Sequence, residues 1–217
     1  VNLIRKYMKY YAIHKGRDSG IFNTWDECNE LVKGFKGAKY KKFDNINDAQ
    51  YYVDNGFVRD SDTSIEDDVI NVYTDGSCLN NGSDNAKAGI GIFFRDNDPR
   101  NVSTKVNGRQ TNNIAELKAI KMVFKILKDE IENNKKIKIY SDSRYAINCC
   151  TNYGKRNSEN GWKDDIPNRE LVKKTYELYK NLKNVKFVHV KAHTKKSDVH
   201  SYGNSQADYL ANCGALR

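Results

Sequence analysis

The sequence predicts an α/β protein in two parts: a small ββαβα domain, then a larger domain built on a mixed five-stranded sheet with flanking helices. Three observations carry this prediction. In the larger part, three strand-like segments cluster early and are followed by helical periodicity interrupted by two more strands, which places helices on the faces of a mixed sheet. The polar acidic stretch SDTSIEDD at 61–68 has no apolar periodicity and reads as a linker between domains 1–60 and 69–217. Charge divides the same way, with 11 basic and 8 acidic residues in 1–60, none and 4 in 61–68, and 26 and 16 in 69–217.

In the first domain, residues 10–16 alternate as a strand, GRDSG turns the chain, and 20–24 return as a second strand. Thr24 with Glu27 makes a capping box for a helix whose apolar face holds Leu31 and Val32 and whose stop is Gly34. Residues 38–43 read as a third strand, and 47–55 as a helix ending at Gly56. In the second domain, 69–74, 88–95 and 102–106 are strands separated by turns rich in Gly, Asn and Asp, an antiparallel meander. From Thr111 onward, Ile114, Leu117, Ile120, Phe124 and Leu127 recur at spacings of three and four, the period of a helix. A strand at 136–140, helices at 143–151 and 168–181, a strand at 185–190 and a last helix at 205–213 complete the order.

Composition narrows the function. The chain's 217 residues, 38% hydrophobic and 30% charged, supply a core under a charged surface and exclude wholesale disorder. No uncharged apolar stretch approaches the roughly 18 residues that cross a bilayer, so a soluble chain without a membrane partner is expected. Five cysteines with no CxxC spacing make neither a disulfide framework nor a zinc site, and point to an intracellular, reducing compartment. The net charge of +9 is not spread evenly. Lys33, Lys36, Lys39, Lys41 and Lys42 crowd one short stretch with aromatics interleaved, which is what a surface tracking a nucleic-acid backbone requires.

Four carboxylates stand where solvation should be poor. Asp75 ends the apolar strand VINVYT, and Asp142 follows KIKIYS, so both emerge at strand carboxyl ends, the usual place for sites in α/β sheets. Glu116 lies inside the apolar helix NNIAELKAI, and Asp208 lies in SQADYLA. Singly, each reads as a turn, cap or solvated residue. If the four converge, however, they cannot all stay ionised without cations. Hard divalent ions with oxygen ligands resolve the repulsion, and a pair of them about 4 Å apart can drive phosphodiester hydrolysis.

TDGSC, GRQTNNIAELKAI, YSDSRYAIN and GNSQADYLA, in that order and spacing, resemble the four motifs of ribonuclease H. TWDECNELVKGFKGAKYKKF resembles the small hybrid-binding domain that precedes the catalytic domain in eukaryotic type 1 members and also occurs in some viral proteins. The resemblance implies an RNase H-like fold and an endonuclease that cuts the RNA strand of RNA–DNA hybrids by two-metal-ion catalysis, leaving 3′-hydroxyl and 5′-phosphate ends. Asp75, Glu116, Asp142 and Asp208 would hold two Mg²⁺ or Mn²⁺ ions. His193 matches the family's mobile histidine, with His200 as the alternative in a longer loop. Asn81 and Asn112 match the readers of 2′-hydroxyls, which tell RNA from DNA. Arg109, Thr111 and Asn168 match a pocket for a DNA phosphate, although Asn168 also reads as a helix cap. Tyr145, Tyr153 and Trp162 match an aromatic channel for DNA sugars. In the first domain Trp25 and Tyr40 would stack on deoxyriboses, Lys41 and Lys42 would hold phosphates, and Tyr11 would support them; the alternative for Trp25 is a place in the small core. The partners implied are the hybrid and, through the first domain, double-stranded RNA, bound by a monomer. Nuclear, mitochondrial and viral-host settings all fit. Two other readings exist, a non-catalytic binder and a DNA-cutting member of the same superfold. The four acids disfavour the first, and the hybrid-binding segment with GRQTN disfavours the second.

Overall fold

The computed structural model describes residues 9–44, 46–56, 58, 69–163, 165–191 and 198–217. The expected linker at 61–68 lies outside them. The chain divides into two compact units, Val1–Ser64 with Lys196–Val199 and Ile65–Lys195 with His200–Arg217.

The first unit holds β1 (Tyr10–Lys15), β2 (Gly20–Phe22), α1 (Trp25–Val32), β3 (Lys39–Phe43) and α2 (Ile46–Asn55), the expected order. Its antiparallel sheet runs β2-β1-β3. The Thr24 hydroxyl accepts from the Glu27 amide while the Glu27 carboxylate accepts from the Thr24 amide, so the capping box forms as read. The chain leaves α1 through Gly34 at φ 72°, a conformation that favours glycine. Arg17 satisfies carbonyls left over at that helix end, donating to Glu30 and Lys33 at 2.9 and 2.8 Å. Alternation along β1 sends Ile13 towards Cys28 and Val32 of α1, and Ala12 towards Ala49 and Tyr52 of α2.

The second unit holds β4 (Val69–Leu79), β5 (Lys87–Phe93), β6 (Val102–Lys105), α3 (Asn112–Ile126), α4 (Lys128–Glu132), β7 (Lys136–Ser141), α5 (Arg144–Cys150), α6 (Asn152–Glu159), α7 (Arg169–Tyr179), β8 (Val185–His189) and α8 (Val199–Ala215). The five strands are ordered β6-β5-β4-β7-β8. β4, β5 and β6 form the antiparallel meander, and β7 and β8 add in parallel. One face of the sheet packs Val72, Ile90, Ile92, Ile137 and Ile139 into a core with Leu117, Ile120 and Val123 of α3 and Val172 of α7. Burying each such side chain contributes about 1.5–3 kcal/mol. The other face packs Tyr73, Phe93 and Tyr140 against Ala207 of α8. This helix comes very close because β5 presents it with two glycines, Gly89 and Gly91. A Cβ on Gly91 would stand 1.9 Å from the Ala207 carbonyl oxygen, and one on Gly89 would stand 2.2 Å from that of Ala211.

Several elements depart from the reading of the sequence. β4 does not stop at Thr74: β7 pairs only as far as Thr74↔Ser141, but β5 continues to pair through Leu79↔Lys87. Asp75 therefore sits inside a strand, at the point where one neighbour is lost. α8 begins six residues earlier than the expected 205, running through Gly203, which is pressed against the Tyr73 ring. α4 and α6 were not expected at all. In α6 the polar stretch NYGKRNSE is held by burial of Gly154 and Asn157, Gly154 lying against Tyr176. Among the described residues no helix is long and apolar enough to cross a membrane, and all five cysteines are free thiols.

Candidate active site and nucleic-acid interface

The site is assembled on β4. Alternation gives Tyr73, Asp75 and Ser77 to the α8 face and Gly76 to the α3 face. Gly76 lets the start of α3 press onto the strand, since a Cβ there would stand 2.3 Å from the Glu116 amide nitrogen. α3 begins where the Thr111 hydroxyl accepts from the Ile114 amide. Glu116, one turn in, is thus held over the point where β7 stops pairing and Asp142 leaves the sheet.

Oxygens of Asp75, Glu116 and Asp142 all lie within 4.8 Å of one another. Asp208, on α8, stands outside this triad but close to Asp75, where its charge and a hydrogen bond act on the Asp75 carboxyl. Asp75 and Glu116 are buried, at 6% and 4% exposure. Burial, then the charges of Asp142 and Asp208, pushes Asp75 up to about 7, against the backbone N–H of Gly76, which donates to it at 2.9 Å. Burial, then Asp75 and Asp142, holds Glu116 well above the usual carboxylate range. The Glu116 Oε2 atom is buried and has no hydrogen-bond partner among the described residues. Hard oxygen donors, mutual repulsion and an orphaned buried oxygen together fit a divalent cation.

Three further polar residues surround the acids, and sequence reasoning passed over all of them. The Asn204 amide donates to Asp142 Oδ2 at 2.9 Å, and the Asn212 amide donates to Asp208 Oδ1 at 2.9 Å. Ser77, in turn, donates to Asn212 Oδ1. The signal was the spacing: Asn204 and Asn212 flank Asp208 by four residues on either side, one face of a helix.

The histidines resolve differently. His193 lies outside the described residues. The His200 ring stacks on Tyr140, with centroids 4.4 Å apart, and its Nδ1 lies 3.0 Å from the Tyr73 hydroxyl. His200 is thus packed against the sheet rather than carried on a loop.

Of the residues matched to substrate contacts, Asn81 and Asn112 are brought together, the Asn112 amide nitrogen donating to Asn81 Oδ1 at 3.3 Å. Arg109 is exposed. The loop that carries it is tied down by Gln110, which donates to the Val106 and Gly108 carbonyls and accepts from the Ala88 amide. Asn168 takes the position of a helix cap but makes no capping bond, with φ 58° and its amide donating to the Tyr145 hydroxyl at 3.4 Å. Tyr153 is half-buried, with Arg156 over its ring. Trp162 is a core residue, 5% exposed with its ring edge-on to Tyr176, so the aromatic surface here comes from Tyr145 and Tyr153.

In the first unit Trp25 is 42% exposed and Tyr40 43%, and Trp25 lies in neither small core. Its ring centroid is 5.9 Å from that of Tyr11 and 5.7 Å from that of Tyr40, making one exposed aromatic surface. Lys42, opposite Tyr11 in register, places its Nζ 5.7 Å from the Tyr11 ring. Lys41 pairs with Ala12 and so falls on the other face of β3, also exposed.

Residues 67–216 match the model of the RNase H family, and residues 9–53 match that of the ribonuclease H1 N-terminal domain. The chain is 33% identical to the Schizosaccharomyces pombe protein named ribonuclease H, over 95% of this chain and 97% of that one. It is 28% identical to human ribonuclease H1, over 97% and 91%. The second unit has the fold of a domain in the foamy viral protease-reverse transcriptase solved with an RNA/DNA hybrid, with a TM-score of 0.52 and 21% identity, covering 67% of this chain and 20% of that one.

Proposed function

Because the chain belongs to the ribonuclease H family, whose members cut the RNA strand of RNA–DNA hybrids, we propose that Asp75, Glu116, Asp142 and Asp208 form its hydrolytic centre. The observation that carries the assignment is the acid triad within 4.8 Å, two of its members buried. The four carboxylates would hold two divalent ions, Mg²⁺ or Mn²⁺. Bound by these carboxylates, such ions would supply water activation and neutralisation of the leaving oxygen in phosphodiester hydrolysis.

The chain's own residues do the rest. Asp75 and Glu116 must release protons before they can bind cations, so burial makes the site dependent on both pH and metal. Asn204 donates to one oxygen of Asp142, which fixes the orientation of that carboxylate beside Asp75 and Glu116. His193 serves proton transfer or product departure. Asn81 and Asn112 sense 2′-hydroxyls, and Arg109, Thr111 and Asn168 take a phosphate of the DNA strand, with Tyr145 and Tyr153 against its sugars. Residues 1–60 form a hybrid-binding domain, also able to take double-stranded RNA, joined by the linker 61–68 to a catalytic domain at 69–217. Trp25, Tyr40 and Tyr11 give it a stacking surface, and Lys41 and Lys42 supply charge along the backbone. The protein acts as a monomer.

The test uses the purified chain with Mg²⁺ and three labelled duplexes. The RNA of the hybrid is cut into 5′-phosphate fragments while DNA and RNA duplexes stay whole, and Asp142→Asn binds hybrid without cutting it. An intact hybrid in both Mg²⁺ and Mn²⁺ overturns the assignment.

A further inference from the structure

We propose that Asn212, locked by Ser77, is the positioning residue for Asp208 and sets how strongly the centre binds cations. The argument starts from two parallel pairs of residues. Asp75 and Ser77 lie two apart on one face of β4, and Asp208 and Asn212 lie one turn apart on the facing side of α8. The first rung between them joins Asp75 and Asp208, two like charges. In the second, the Ser77 hydroxyl donates to Asn212 Oδ1. Asn212 Nδ2 then donates at 2.9 Å to Asp208 Oδ1.

This network leaves one orientation for the amide. With Ser77 donating to its oxygen, its NH₂ must face Asp208; turned over, it would set oxygen against carboxylate. Asp208 Oδ1 is therefore tied to Asn212, which holds the carboxylate in one rotamer beside Asp75. The donor is neutral, so it orients the carboxylate without adding a positive charge that would compete with a cation for the same oxygens. Removing the amide should not move α8, because Gly89 and Gly91 seat that helix directly on β5. What is lost is the fixed rotamer of Asp208.

The inference rests on the assignment of the four acids as the cation site. It is tested in the full chain with Asn212→Leu, which keeps the bulk and removes the donor, and with Ser77→Ala. Mn²⁺ binding to the unloaded protein is followed by calorimetry, and the Mg²⁺ concentration for half-maximal cleavage is measured alongside the KM for hybrid. Asn212→Leu is expected to weaken Mn²⁺ binding about 10-fold, the scale seen for partners that orient metal ligands. Half-maximal Mg²⁺ rises in step, while KM for hybrid and the melting temperature of the unloaded protein hold. Ser77→Ala shifts both metal readouts the same way by less, and it carries the test if the leucine variant does not fold. In an Asp208→Asn background Asn212→Leu has no further effect, which a merely structural role would not produce. Wild-type Mn²⁺ binding in both variants, or a loss that persists in the Asp208→Asn background, overturns the inference. If Asp142→Asn also binds Mn²⁺ as wild type does, it is the assignment of the acids that fails.

Discussion

Asp75 is expected to destabilise the fold when no cation is present, and Asp75→Asn tests this directly. Its carboxyl titrates at 3.8 in an unperturbed setting and at about 7 in the fold. As pH rises the unfolded chain releases this proton first, so the fold loses stability from about pH 4 to about pH 7 and recovers none above it. At roughly 1.4 kcal/mol per pH unit, the ceiling on this loss is about 2 kcal/mol at pH 5 and about 4 at pH 8. Asparagine keeps the shape and removes the charge. In EDTA the variant should therefore melt higher than the wild type, by on the order of 10 °C at pH 8 and by about half of that at pH 5, at about 2–4 °C per kcal/mol for a domain of this size. Added Mn²⁺ should raise the wild type and narrow the gap. Thermal unfolding followed by circular dichroism, at two pH values with and without metal, measures all of this. Equal melting temperatures at pH 8 in EDTA, or a larger advantage at pH 5 than at pH 8, would refute the reasoning.

Three other outcomes follow from the packing. Gly91→Ala forces a Cβ into the Ala207 backbone and should cost at least about 2 kcal/mol in urea unfolding, with cleavage falling because Asp208 rides on the displaced helix. Asp98, buried and held down at about 2 by hydrogen bonds from Arg100 and then by the charges of Arg100 and Arg95, stabilises the β5–β6 turn. Asp98→Asn should cost about 2 kcal/mol at neutral pH, and since the folded group titrates lower than the unfolded one, its contribution is present above pH 4 and fades towards pH 2; an undiminished difference at pH 2.5 would contradict this. Trp25→Ala should weaken hybrid binding by about 1–3 kcal/mol with little change in the melting temperature, because the ring is 42% exposed and belongs to neither small core.

Some features were legible because their causes are local. The Thr24/Glu27 box, the Gly34 exit and the apolar face from Ile114 to Leu127 depend on residues within a turn or two of each other, so spacing alone reveals them. The strand ends and the polar helices were less legible. β4 runs past Asp75 because β5 keeps pairing with it, and α6 is helical because Gly154 fits against Tyr176, neither of which is visible in neighbouring residues. Trp162 had the composition of a ligand contact and the position of a core residue, and only burial separates the two.

The sequence by itself determined the order of the strands and of the helices other than α4 and α6, the two-part organisation it suggests and the four acids in their motifs, since periodicity, capping and residue type are written in short stretches of chain. The tertiary structure decided which oxygens meet, which carboxyls are deprived of water, and that Asn204 and Asn212 hold Asp142 and Asp208. Those facts depend on how closely α3 and α8 approach β4 and β5, which Gly76, Gly89 and Gly91 permit by having no side chain. Desolvation and charge repulsion act through space rather than along the chain, so the chemistry of the site appears only once residues far apart in sequence have been packed together.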